Sequence, residues 1–300
     1  MSKYHVPVLL MPTVDGLNIK PDGTYVDVTF GGGGHSREIL SRLGPSGRLV
    51  AFDRDMDAKQ NIMDDPRLIF VSRDFQYLEA ALLERGIEAV DGILADLGVS
   101  SHQFDTGERG FSFRFEGPLD MRMDQRQDLT AAHLLNEWEE MELVHLFSRY
   151  GEVTNARKLA RTIVQRRVGE PLSDTLQFES VIASCIPPKR RAKYLAQVYQ
   201  ALRIEVNGEM KSLESLLMSG LEMLASGGRM SIISYHSLED RMVKRFFRAG
   251  NFAGKEEKDA YGHSLSPWKL ITRRAIQASE EEIEENARAR SARLRVAEKK

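Results

Sequence analysis

The sequence predicts an α/β protein, a parallel sheet with helices on both faces, interrupted by an all-helical insertion. Three observations predict it. Short apolar runs alternate with stretches of helical spacing through the first hundred residues, the βαβ rhythm. Each of the first four runs carries an aspartate at or just past its end: Asp27, Asp53, Asp74 and Asp96. Residues 105–210 then abandon the alternation.

Taken in order, residues 24–29, 48–52, 68–72 and 92–96 read as strands, their continuous apolar character suiting a sheet buried on both faces. Between them, residues 37–43, 57–63 and 75–85 have helical spacing. The insertion offers helices at 129–150, 155–168, 176–183 and 189–206. Beyond it, Gly227-Gly228 introduces a strand at 229–235, residues 238–247 are helical, and Pro267 precedes a strand at 268–274. The domains expected are 1–104 joined with 211–300, and 105–210 between them.

At 300 residues and 42% hydrophobic content the chain can bury a substantial core. Its single cysteine, Cys185, excludes an intramolecular disulfide framework and any Cys-x-x-Cys motif, so a reducing compartment, the cytoplasm, is expected. The apolar stretch 8–11 is closed by Pro12 and is too short for a signal or a membrane span. With 42 basic and 44 acidic residues the net charge is -2, so attraction to a polyanion would need a local patch. The seven histidines are scattered without ligand spacing, and no metal is expected.

The most informative segment is Gly31-Gly32-Gly33-Gly34, where the first strand hands over to the first helix. Glycines there permit positive φ and let a ligand approach the backbone. A glycine turn alone serves NAD, FAD, nucleotide and S-adenosylmethionine sites alike. The acids around it separate these ligands. Asp27 would repel a pyrophosphate at the helix N-terminus and favours a cationic cofactor tail. Asp53 is placed for ribose hydroxyls, Asp74 for an adenine amino group, Phe75 for the face of the ring, and Asp96 closes the fourth strand. Together with Gly31, these residues point to S-adenosylmethionine.

At this point the sequence resembles a known family, the bacterial 16S rRNA (cytosine-N4)-methyltransferases, RsmH or MraW. The resemblance is carried by His5-Val6-Pro7-Val8-Leu9, by Thr29-Phe30-Gly31-Gly32-Gly33-Gly34-His35-Ser36, and by Asp91-Gly92-Ile93-Leu94-Ala95-Asp96-Leu97-Gly98-Val99-Ser100-Ser101. Further stretches are Glu108-Arg109-Gly110-Phe111-Ser112-Phe113, 117–124, 200–207 and 231–241. Two departures, Ala287 in place of the usual proline and Gly32 at a variable position, touch no side chain that the chemistry needs. The resemblance implies a Rossmann-like S-adenosylmethionine methyltransferase sheet, with cofactor contacts from Gly33, Gly34, His35, Asp53, Phe75, Asp96 and Gln103. The implied partner is 16S rRNA in the small ribosomal subunit, and no membrane is involved.

Cytosine N4 is a poor nucleophile because its lone pair is delocalised into the ring, so the site must accept the amine's hydrogens and align it with the methyl group. Other amino-methyltransferases use Asp, Asn or Ser followed by Pro-Pro-aromatic after the fourth strand. Here the corresponding stretch is Asp96-Leu97-Gly98-Val99-Ser100-Ser101, so backbone carbonyls with Asp96 or Ser100 are expected to polarise the amine. His236 and Tyr235, at the end of the fifth strand, are expected to orient the base, move a proton, or make a structural hydrogen bond. Carbon-5 methylation would need a cysteine nucleophile, and Cys185 reads as a core residue of the insertion.

For RNA, the expected patch is Lys189, Arg190 and Arg191 with Lys193, supported by Arg157, Lys158, Arg161, Arg166 and Arg167. Arg203 and Asn207 at the end of the insertion join it. Phe111, Phe113 and Phe115 alternate and suit either base stacking or core packing. The charged end of the chain, Glu280, Glu281, Glu282, Glu284 and Glu285 followed by Arg288, Arg290, Arg293 and Arg295, reads as a solvated helix or mobile tail, or as an arm that orders on RNA. Two other classes stay open: a nicotinamide-dependent oxidoreductase, from the glycine turn and Asp53, and a non-catalytic RNA-binding factor, from the missing Pro-Pro-aromatic motif.

Overall fold

In a computed structural model, described here over residues 7–300, the chain divides into two compact units. One runs to Gly98 and resumes at Met210; the other spans Val99–Glu209. His5 and Val6 of the first resembling stretch lie outside the described residues.

The first unit is built on a sheet whose described strands are β1 (Thr24–Asp27), β2 (Arg48–Phe52), β3 (Leu68–Val71), β4 (Val90–Asp96), β5 (Leu224–Ser234), β6 (Trp268–Leu270) and β7 (Arg293–Lys299). Their order is β3-β2-β1-β4-β5-β7-β6, with β1 to β5 parallel and β7 antiparallel to both its neighbours. Alternate residues serve opposite faces. Val26, Val50, Phe52 and Ile93 join Leu78, Leu82, Leu216, Val243 and Phe246 in one core. Tyr25, Leu49 and Leu94 join Val14, Leu17 and Ile39 in another. Helices therefore cover both faces: α1 (Leu10–Gly16) and α2 (Gly34–Arg42) on one, α3 (Leu78–Leu83), α10 (Glu209–Met223) and α11 (Ser237–Ala249) on the other. The chain winds outward from β1 through β2 to β3 and outward the other way from β4 to β5. The winding reverses between β1 and β4, and the carboxyl edge at such a switch is the ordinary ligand position in sheets of this kind.

The charged end of the chain is a solvated helix in its first part, as expected, and a correction in its second. Residues 280–285 form the short helix α12 (Glu280–Glu285), and Arg293–Lys299 is β7, an interior strand rather than a tail. Leu294, Val296 and Ala297 are fully buried, each large side chain contributing about 1.5–3 kcal/mol of burial. The charges occupy other positions: Arg295 pairs with Asp240, and Glu298 with Arg229 and Lys269. The expected helix at 57–63 is a 3-10 segment, Met56–Asn61, and 75–85 begins with another, Phe75–Tyr77, before α3.

The second unit is helical, with α4 (Ser101–Asp105), α5 (Ala131–Glu137), α6 (Glu140–Arg149), α7 (Ala156–Arg167), α8 (Thr175–Ile182) and α9 (Arg191–Val206). Leu134, Leu143, Phe147, Leu159, Phe178, Leu195 and Leu202 fill its core. The single helix expected at 129–150 is two. Trp138 turns extended (ψ 143°), and Glu139 starts α6 with a capping box, exchanging bonds with Glu142.

Candidate functional site at the carboxyl edge of the sheet

After β1 the chain stays extended, Val28 N–H donating to the Leu94 carbonyl and Phe30 N–H to that of Phe52, both at 2.9 Å. It then turns through Gly31 (φ 49°) and Gly33 (φ 73°), a left-handed path that glycine follows at little cost. Gly33 is the N-cap of α2, and no side chain caps that helix. Its first-turn amides are therefore left to an anionic or polar ligand. At Gly34 a Cβ would stand 2.1 Å from Cγ of Pro7, so only glycine fits.

Asp27 lies beneath this turn rather than in it. Its side chain is fully buried; one oxygen accepts from Thr29 N–H (3.0 Å), the other from the Ser36 hydroxyl (2.6 Å). Burial pushes its pKa up, opposed by those bonds. The expected contact with a cationic cofactor tail is corrected: an oxygen pair with no exposed surface clamps the turn instead.

Asp53 holds the turn from the neighbouring strand. One oxygen accepts from Gly31 N–H (2.7 Å) and the other from Asp55 N–H (2.8 Å), while Asn61 donates to the Gly31 carbonyl (2.9 Å). Each carboxylate oxygen keeps a second lone pair, which suits vicinal hydroxyls. Burial raises its pKa to about 6.

Asp74 caps the Phe75–Tyr77 turn through Gln76 N–H (2.8 Å), and its other oxygen meets Arg54 (2.6 Å) and the Ser212 hydroxyl (3.3 Å). An adenine amino group would therefore share this carboxylate with Arg54. Phe75 is half-buried against the core beside it.

Asp96 ends β4. Its N–H donates to Thr29 Oγ1 (2.7 Å), tying β4 to the glycine turn, and its Oδ1 accepts from the Tyr235 hydroxyl (2.7 Å). Oδ2 stands 3.8 Å from Nδ1 of His35, and the side chain as a whole is 23% accessible. Burial raises its pKa to about 7; the Tyr235 bond works the other way, and repulsion from Asp27 and Glu239 adds to the rise. His35 is itself buried and pushed down to about 4, so it is neutral and gives Asp96 no counter-charge.

His236 is the N-cap of α11, its ring accepting from Glu239 N–H in a capping box. Glu239, absent from the expected site, is 2% exposed and accepts from Tyr235 N–H (2.9 Å). The sequence signal was present, a carboxylate three residues past a capping position. Thr29, Tyr235 and Glu239 together fix the surroundings of Asp96. Of the roles expected for His236, the structural hydrogen bond is the one its ring makes here.

In the second unit, Ser100 and Gln103 are reciprocal caps of α4, Gln103 N–H donating to Ser100 Oγ (3.2 Å) and Ser100 N–H to Gln103 Oε1 (3.0 Å). Two expected RNA contacts are corrected. Arg203 makes a two-pronged bond to Glu209 (2.7 and 2.9 Å), and Asn207 is buried, donating to the carbonyls of Met121 and Arg203 and accepting from Met123 N–H. Lys189, Arg190 and Arg191 are exposed, Arg191 being bonded to Glu179. Phe111 lies in the core, Phe113 packs edge-on to Tyr199, and Phe115 is exposed. Cys185 is a core residue beside Thr162.

The model of the MraW methylase family matches residues 2–300. The Ribosomal RNA small subunit methyltransferase H of Bacteroides thetaiotaomicron is 56% identical over 297 residues, covering 99% of this chain and 98% of its own. The protein of the same name from Flavobacterium johnsoniae is 57% identical with the same coverage, and that from Cytophaga hutchinsonii 52% identical over 99% of each chain.

Proposed function

The chain belongs to the MraW methylase family, and we propose that it transfers a methyl group from S-adenosylmethionine to the N4 amine of a cytidine in the 16S RNA of the small ribosomal subunit. The observation that carries the reading is Asp96 at the β1/β4 switch, a partly accessible carboxylate with one oxygen held by the Tyr235 hydroxyl.

The residues fit the cofactor. An uncapped α2 N-terminus suits its carboxylate, Asp53 its ribose, and Phe75 its adenine. Bound there, S-adenosylmethionine supplies a methyl group on a positively charged sulfur. Asp96, ionised, accepts a hydrogen bond from the amine, which draws electron density toward nitrogen, and takes the proton that nitrogen must lose as the N–CH3 bond forms. A carboxyl titrating near 7 suits both halves of that task. No covalent intermediate is needed, and Cys185, 4% exposed in the core of the other unit, is no nucleophile for carbon-5 chemistry. The substrate makes the cytoplasm its place of action. Among the described residues no helix is long and apolar enough to cross a membrane.

The test is incubation with methyl-labelled S-adenosylmethionine and small-subunit RNA, then digestion to nucleosides. N4-methylcytidine is expected, and absent with Asp96→Ala; label found only in 5-methylcytidine would overturn the reading.

A further inference from the structure

The exposed side of α11 carries Arg241, Lys244, Arg245 and Arg248, spaced i, i+3, i+4, i+7, so all four stand on one face of the helix. The helix has two acids and neither faces outward: Glu239 is buried, and Asp240 is bound by Arg295 at 2.7 and 3.2 Å. Among the described residues no acid pairs with Lys244, Arg245 or Arg248. The opposite face is locked in place. Phe246 stacks on Phe252 at 5.0 Å, Phe246 and Phe247 both meet Trp268, and Val243 is buried. The Arg245 stem is held as well. Gly254 passes so close that a Cβ there would stand 2.9 Å from its Cγ. A purely cationic, rigidly mounted stripe in a chain of net charge -2 is a local concentration of one sign, with part of its ordering cost already met by packing.

We propose that this face of α11 binds the phosphate backbone of the substrate RNA, making the cofactor-binding unit itself, and not only the inserted helices, an RNA-holding element. The proposal rests on the RNA-methylating function above. From Arg241 to Arg248 the stripe is about 10 Å long by helical rise, enough to follow two or three consecutive phosphates.

The test is the salt dependence of binding to a small-subunit RNA fragment by the full chain and by the Lys244→Gln, Arg245→Gln, Arg248→Gln triple variant. Three lost phosphate contacts are expected to flatten the slope of log affinity against log salt by about 2. Affinity for S-adenosylmethionine and the circular dichroism spectrum should be unchanged, since the three side chains are on the surface. An unchanged slope in the folded variant overturns the proposal even where the wild type forms N4-methylcytidine. A flattened slope supports it even where the methylated atom proves to be another, so the two readings fail separately.

Discussion

Replacing Tyr235 by phenylalanine removes one hydroxyl and tests the central chemical claim. That hydroxyl donates to Asp96 Oδ1 at 2.7 Å and holds the carboxyl's pKa down, against burial and the repulsion of Asp27 and Glu239, at about 7. A hydrogen bond to a charged group contributes about 1.5–3 kcal/mol, and a pKa unit is about 1.4 kcal/mol, so its loss should raise the pKa by about 1–2 units. Water reaching the partly exposed carboxyl offsets some of this, which places the shift near the lower figure. On the proposed mechanism, in which ionised Asp96 takes the amine's proton, the acidic limb of the pH–rate profile should move from about 7 to about 8. At neutral pH the ionised fraction falls from about one half to about one tenth, a roughly fivefold loss of kcat/KM that largely disappears by about pH 9. His35 is neutral throughout this range and does not contribute to the limb. The assay is initial methyl incorporation into small-subunit RNA under substrate-limiting conditions across that range. An unmoved limb, or a loss equal at every pH, would refute the reasoning.

Four further outcomes are expected. Asp96→Asn should abolish methyl transfer yet stabilise the fold at alkaline pH. The folded carboxyl, near 7, sits above its ordinary 3.8, so the folded chain holds a proton the unfolded chain releases; that stability is complete below about pH 4 and lost as pH rises through 7. Thermal melts at about pH 8 should show a gain on the order of 1–2 kcal/mol; no gain would contradict the burial of this group. Gly34→Ala should cost about 1–3 kcal/mol through its clash with Pro7, and Pro7→Ala in the same chain should restore part of the lost Tm. Cys185→Ala should cost on the order of 1 kcal/mol of stability and leave turnover within about twofold, a larger fall in turnover pointing to a chemical role. Arg295→Ala should lower stability by about 1.5–3 kcal/mol in denaturant titrations, since it leaves Asp240 without its two bonds; a neutral result would mean the β7 pairing is not held through this side chain.

The first four strands were readable because each is a short apolar run with an aspartate at or beside its end, and α2 and α3 fall within or beside the stretches of helical spacing, whereas 57–63 tightens to a 3-10 segment. The interior strand β7 was not, because Arg293, Arg295, Glu298 and Lys299 dominate it; the alternating Leu294 and Val296 were the only sign of a buried face. At the site, residue types were readable but partners were not. Asp27 and Asp74 stood where acids were expected, yet nothing local shows that Ser36 would occupy one and Arg54 the other. Asn207 and Arg203 looked like polar surface residues for the same reason. The Asn207 partners Met121 and Met123 lie more than eighty residues away, and the two-pronged bond of Arg203 to Glu209 depends on how the end of α9 turns.

The Asn207 clamp bears on how the sheet is assembled. Strands β4 and β5 are direct neighbours, yet all of residues 99–209 lies between them in sequence. Were that segment still a coil, their pairing would have to close a loop of more than a hundred residues, the kind of distant contact that slows folding. Once Asn207 has bound Met121 and Met123, the segment's far end is fastened near its beginning and the effective loop is much shorter. A helical unit that folded first would act as an internal splint for the sheet. Asn207→Ala should slow the refolding phase in which β5 joins β4 more than it lowers the final yield of native sheet.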